Sequence, residues 1–253
     1  MSGHNKWSSI KHKKAAADAK RGKIFSRLSK EITMAAREGG GDPELNPRLR
    51  TAIAAAKDAN MPSDNIQRAV KKGTGELSGQ VLEELSYEGY APGGVAVMVS
   101  CLSDNRNRTA ANIRACFTRH NSNLAGTGAV AWLFHRKARF VVRGPDLDED
   151  TVLEILLDGG VDVEDVSALD GDVEILAPPE AFAAVAERLE KSGLTIAESG
   201  LTMVPENTVE VTDAKTARQV LRLIEALEED DDVQQVYSNF EMSDELMEQL
   251  AEE

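Results

Sequence analysis

Nine cations, Lys6, Lys11, Lys13, Lys14, Lys20, Arg21, Lys23, Arg27 and Lys30, stand in the first thirty residues against one acid, Asp18. Such density suits phosphate. Each neutralised phosphate of a nucleic acid releases condensed counterions, and Trp7, His4 and His12, interleaved with the lysines, can stack on a base or sugar. On a helical wheel Lys20, Lys23, Arg27, Lys30 and Arg37 fall within about a 100° arc. Ile24, Phe25, Leu28, Ile32, Ala35 and Ala36 lie opposite. Arg21 falls inside the apolar stripe, so the regular helix is expected to begin after it, at about Gly22. A lysine face on one amphipathic helix is by default a solvated surface. Here the acids that would pair with it lie far along the chain, and Arg48, Arg50, Arg68, Lys71 and Lys72 extend the charge, which favours nucleic-acid contact. Lys20, Lys23, Arg27 and Lys30 are all expected to face solvent, so that reversing them to Glu would abolish binding and leave thermal unfolding nearly unchanged.

A second candidate is Asp104-Asn105-Arg106-Asn107-Arg108-Thr109, at the junction of an apolar strand and a helix. Free backbone N–H groups and two arginines can hold an anion there, while a cap by Asp104 with solvated arginines is the plainer alternative. The expected nucleic-acid contacts are therefore Lys6, Trp7, Lys11, His12, Lys13, Lys14, Lys20, Arg21, Lys23, Arg27, Lys30, Arg106 and Arg108.

Enzyme constellations fail one by one. Asp146, Asp148 and Asp150 start like a calcium loop, but Thr151 stands where its glycine belongs and Leu157 where its final Glu belongs. Gly126-x-Gly128-x-x-Ala131 has dinucleotide-fingerprint spacing but precedes an expected strand instead of joining strand to helix. Cys116 and His120, one helical turn apart, fit a buried cysteine and a helix-end histidine better than an activated thiolate. No metal site or cofactor is expected, and the chain reads as no enzyme. The acid run Glu228–Asp232 closes a helix whose dipole it opposes, which fits a solvated loop or an electrostatic surface.

The elements that must position these residues follow from the pattern. Residues 1–80 read as four short helices, broken at Gly39-Gly40-Gly41 and restarted at Asn46-Pro47 and Ser63. Residues 81–136 read as β, β, α, β, with a turn at Tyr90–Gly94 and a last strand at Val130–Phe134. Residues 137–204 give βαββαβ, a ferredoxin-like order, with Asp170-Gly171 as a hairpin turn. A strand, helix and strand over 205–241 lack a core of their own and are expected to complete the unit of 81–136, which makes 137–204 an insertion. Residues 242–253 read as an acidic tail or amphipathic helix. The fold class expected is multidomain α+β: an all-α N-terminal domain followed by two α/β-sandwich domains.

The net charge of −14 over 253 residues conceals a polarity: residues 1–80 carry +8, residues 81–143 +4 and residues 144–253 −26. Screening over roughly 10 Å lets the basic face act apart from the total. No run of roughly twenty apolar residues is present to span a membrane, and two cysteines suit a reducing compartment, so a cytoplasmic protein is expected.

Longer blocks carry a resemblance. Gly3-His4-Asn5-Lys6-Trp7, Ile10–Ala15, Asp18–Lys23, Asn46-Pro47, Met61-Pro62, Asn65-Ile66, Tyr87–Gly94, Asp104–Thr109 and Val236–Phe240 resemble, in order, the landmarks of the YebC/PmpR family. The resemblance covers residues 3 to about 241. It implies three domains and a cytoplasmic DNA-binding transcriptional regulator without a catalytic residue set, with mitochondrial relatives that act as translational activators. It also links the family to translation on the ribosome, including passage through proline-rich stretches. The partner implied is duplex DNA or, as the alternative, ribosomal RNA. With the Gly-His block at residue 3, the resemblance implies a bacterial member. Oligomeric state does not follow from the sequence.

Overall fold

Three helices, α1 (Ala17–Gly39), α2 (Pro47–Asp58) and α3 (Ser63–Gly73), open the computed structural model, which describes residues 17–79, 81–144, 147–169 and 171–252. Small side chains let them pack closely: Ile32, Ala35, Ala36, Leu49, Ala52, Ala56, Met61, Ile66 and Ala69 form their core. A Cβ on Gly73 would lie 2.4 Å from the Thr33 carbonyl oxygen, so this position tolerates only glycine. Asn46 is buried and does two jobs. Its amide donates to Ala35 O and Gly40 O, both at 2.8 Å, while its Oδ1 accepts the Leu49 amide at 3.1 Å, which closes α1 and caps α2 together. Two local expectations are corrected. Helix α1 is already running at Ala17, which leaves Arg21 exposed within it. In α3, Pro62 holds the N-cap position and Ser63 is the first helical residue, with no side-chain cap.

The next sheet is built on a hairpin, β1 (Glu83–Ala91) and β2 (Val95–Ser103), turned by Pro92–Gly94 with Gly93 and Gly94 at φ 80° and 77°. Its strand order is β3-β1-β2-β9, where β3 is Asn123–Leu124 and β9 is Val233–Ser238. Helix α4 (Arg106–Arg119) and helix α7 (Ala214–Glu228) cover it. Their buried Ile113, Phe117, Ala217, Val220, Leu223, Ile224 and Leu227 meet Val95, Val97, Val99 and Cys101 of β2. The short strands β8 (Val209–Glu210) and β10 (Phe240–Glu241) pair in parallel, and α8 (Asp244–Glu252) follows.

Trp132–Thr208 forms a separate compact unit. Its strands β4 (Phe134–Arg143), β5 (Asp165–Leu169), β6 (Asp172–Ala177) and β7 (Thr195–Pro205) pair antiparallel in the order β5-β6-β4-β7. With α5 (Glu149–Asp158) and α6 (Phe182–Lys191) this is the ferredoxin-like arrangement. Phe140, Val142, Val152, Leu156, Ile175, Val185 and Leu189 fill its core. Gly171 turns the β5–β6 hairpin at φ 83°; Asp170 lies outside the described residues. The other compact unit holds α1–α3, the first sheet with α4 and α7, and α8, so the helical region and the first sheet belong to one body. Among the described residues no helix is long and apolar enough to cross a membrane.

The strand expected at Val130–Phe134 is absent; β4 begins at Phe134. The amides that would have paired in a sheet go instead to Glu88, a buried carboxylate of β1. It accepts from Gly128 N and Val130 N at 2.7 Å and from Ala131 N at 2.8 Å. Burial raises the Glu88 pKa, but these three donors outweigh it and hold the group below its ordinary value. Glu88→Gln is expected to lower the unfolding free energy by about 2–3 kcal/mol, because a neutral amide offers one acceptor where a carboxylate served three donors. The sign with pH follows: a depressed carboxylate contributes stability in full above its unfolded value of about 4.3 and loses it as pH falls through the folded one. Urea midpoints from pH 7 to pH 3 should therefore fall less steeply in Glu88→Gln than in the wild type.

Candidate nucleic-acid interface

Lys23, Arg27 and Lys30 recur on one side of α1, and that side meets the end of α7. Lys23 Nζ donates to Glu229 O at 2.8 Å, and the Arg27 guanidinium donates to Glu228 O. Lys30 Nζ reaches Asp231 O at 2.8 Å, Asp232 Oδ1 at 2.8 Å and Leu102 O at 3.2 Å. The last carbonyls of a helix lack intrahelical partners and form the negative end of its dipole, so cations are well placed there. Burial lowers the Arg27 pKa, against the charges of Glu228, Asp231 and Asp230, which raise it. This corrects two expectations. The stripe does not simply face solvent, and the acid run is not a free loop, because each supplies the other's partner.

Asp232 is the centre of this contact. Its side chain is 4% exposed and its carboxylate is bound from two sides. Besides Lys30 it accepts from Arg108 at 2.7 Å, Thr109 Oγ1 at 2.8 Å and Ser103 Oγ at 3.0 Å. Desolvation pushes its pKa up; the hydrogen bonds from Lys30, Arg108 and Thr109 and the Lys30 charge more than offset this and hold it well below the ordinary carboxylate range. Arg108 also bonds Asp104 Oδ1 at 2.9 Å, so it is committed to carboxylates of its own chain and not left for an anion. The cap of α4 is Asn105, which accepts the Arg108 amide at 3.1 Å; Asp104 pairs with Arg108 instead of capping. Arg48, expected to extend the basic surface, is held by Glu31, Glu38 and Glu84 at 2.8, 2.6 and 2.6 Å.

Other cations stay open. Arg21 and Arg37 on α1, Arg50 and Lys57 on α2, Arg68, Lys71 and Lys72 on α3, and Arg106 on α4 are exposed and make no ion pair with another described residue. Lys6, Trp7, Lys11, His12, Lys13 and Lys14 lie outside the described residues; Lys20 is in α1, but its side chain is not described. No group of three or more His, Cys, Asp and Glu placed to hold a metal ion occurs among the described residues. Cys116 Sγ sits 3.9 Å from His120 Nδ1, yet burial and the charge of Asp230 push its thiol up to about 11. At neutral pH it is not a thiolate.

Residues 5–76 match the TACO1/YebC protein N-terminal domain, and residues 82–240 match the TACO1/YebC second and third domain. The chain belongs to the TACO1/YebC family. It is 54% identical to a probable transcriptional regulatory protein of Desulfotalea psychrophila, with all of both chains covered. It is 52% identical to another so named from Geobacter sulfurreducens, over 99% of this chain and all of that one. The crystal structure of the conserved hypothetical protein Aq1575 from Aquifex aeolicus superimposes with a TM-score of 0.83 at 51% identity, covering 93% of this chain and 96% of that one.

In this YebC-family chain the sequence reading took Asp232 only as the end of an acid run and passed over Glu88. Asp232 is the last acid of its run and directly precedes the buried Val233, the one signal that it turns inward. Glu88 gave none, since half of a strand's positions are expected to carry polar side chains.

Proposed function

We propose that this chain is a non-enzymatic, DNA-binding regulator of transcription that grips the phosphate backbone with its helical region. The observation that supports this reading is the set of open cations on α1, α2 and α3, Arg21, Arg37, Arg50, Lys57, Arg68, Lys71 and Lys72, exposed in a protein of net charge −14. Cations exposed on α1–α3 make a local positive surface that a polyanion can use despite the net negative charge of the chain. The lysines of residues 6–14, with Trp7 and His12, and Lys20 and Arg106 are proposed to complete the grip, and the relatives' description as probable transcriptional regulators agrees with it.

Ribosomal RNA is the second reading. It is favoured by the same exposed cations, Arg50, Lys57, Arg68, Lys71 and Lys72, whose contacts to a phosphate backbone carry no sequence information and suit RNA as well as a duplex. Sedimentation through a cushion with ribosomes, beside retention of a labelled duplex at the same salt, separates the two. The proposal expects the chain to stay in the supernatant and to shift the duplex. Pelleting with ribosomes and no duplex shift would transfer the function to translation.

A further inference from the structure

The contact between α1 and the end of α7 has an unusual composition for the inside of a compact unit. The helical core and the core under the first sheet share no residue, and the bonds that bridge them are polar. They are the Lys23, Arg27 and Lys30 bonds to residues 228–232, the Lys30 bond to Leu102 O and the Arg48–Glu84 pair. In the turn of five consecutive acids the stripe meets three carbonyl oxygens and a carboxylate, and outside it the Leu102 carbonyl. Those are the oxygen acceptors and the charge sign that a phosphate backbone offers.

The two sides are unequally dependent on each other. If α1 leaves, Asp232 keeps Arg108, Thr109 and Ser103 and is not stranded as a buried unpaired charge. Carbonyls at an exposed helix end can turn to water. Lys23 is exposed, so it too is readily rehydrated. A contact made of charges and carbonyls, without a shared apolar core, opens at modest cost, and salt or a competing polyanion weakens it.

We infer that the turn Glu228–Asp232 is an internal occupant of a polyanion-binding stripe, screening Lys23, Arg27 and Lys30 until a nucleic-acid backbone displaces it. This rests on the reading above that the chain binds nucleic acid. It makes the full site larger than the open cations, and it makes the acidic end of α7 an inhibitor of binding in the same chain. Apparent affinity is then reduced by the fraction of time the stripe is covered.

The test uses the full chain and two variants. The first keeps the turn's carbonyls and removes the charges that draw the stripe to it, those of Glu228, Asp230 and Asp231 on Arg27 among them: Glu228→Gln, Glu229→Gln, Asp230→Asn and Asp231→Asn, with Asp232 kept so that its buried partners stay satisfied. The second adds Lys23→Gln, Arg27→Gln and Lys30→Gln. Fluorescence anisotropy with a labelled duplex at fixed salt should show tighter binding for the first variant, by at most about tenfold if the stripe is free about a tenth of the time in the wild type. The gain should vanish in the second. A gain of the same size in both would reduce the effect to lost long-range repulsion and overturn the inference, as would no gain in the first. Failure of the nucleic-acid reading looks different, with no chain binding the duplex or an RNA probe. The rate of lysine acetylation, read by mass spectrometry, then decides the screening by itself. Lys23 and Lys30 should react more slowly than Lys57, Lys71 and Lys72 in the wild type and speed up in the first variant; equal rates in the wild type would overturn it.

Discussion

Asp232→Ala is expected to lower the unfolding free energy by about 3 kcal/mol and to loosen α1 from the α/β core. Breaking a buried ion pair from one side costs about 3–5 kcal/mol, and the lower end applies here because the partners can recover water. Arg108 is already 47% exposed and Lys30 21% exposed in the folded chain. Thr109 and Ser103 cannot recover water in the same way, since both are buried, and they are left to satisfy each other at 2.7 Å. Asp232→Asn should cost less than Asp232→Ala, because it keeps an acceptor for Thr109 while losing the charge. Urea unfolding of the three chains would show the ranking. Equal stability of all three would mean that the carboxylate is not the centre of the contact. The same carboxylate has a depressed pKa, so its contribution is full above about pH 4 and fades as the pH falls further, and the alanine variant should show a flatter acid limb.

Reversal of the open cations should do the opposite, leaving the fold and removing the binding. Arg50, Lys57, Arg68, Lys71 and Lys72 make no ion pair with another described residue, and their changes to Glu touch exposed positions of α2 and α3, where substitutions usually cost within about 0.5 kcal/mol each. Duplex affinity should drop by about 100-fold or more at physiological salt, and the slope of log K against log salt should lose about 0.9 for each phosphate contact removed. An unchanged affinity in this variant would place the grip elsewhere. Reversal of Lys20, Lys23, Arg27 and Lys30, which the helical wheel alone would choose, is the poorer experiment. At least Lys23, Arg27 and Lys30 hold the chain's own turn, so their reversal sets new carboxylates against Asp231 and Asp232 and confounds binding with folding.

What the sequence made legible was what local rules control. The ferredoxin-like order of β4 through β7 was readable because each helix and strand there is bounded by its own turn and apolar period. That the strand, helix and strand of 205–241 need a host was readable from their lack of a core, but not which strands pair: β9 joins β2, while β8 pairs with β10 outside that sheet. Within single elements, the wheel of α1 correctly placed Ile32, Ala35 and Ala36 in the core. The long-range pairings were not readable. A lysine stripe and an acid run some two hundred residues apart have no local signature of meeting, and each read alone suggests solvent. The missing strand at Val130 has the same origin. Its apolar pattern satisfies the period rule, and only a distant buried carboxylate, Glu88, tells the amides of Val130 and Ala131 to bond elsewhere.

The salt dependence of duplex binding by the wild-type chain addresses the central claim most directly. Anisotropy titrations with a labelled duplex between 50 and 300 mM salt read it with one protein and no variant. With five open cations on α2 and α3, the account predicts a slope of log K against log salt of about −4 or steeper. A slope near zero, or no binding even at the lowest salt, would contradict it.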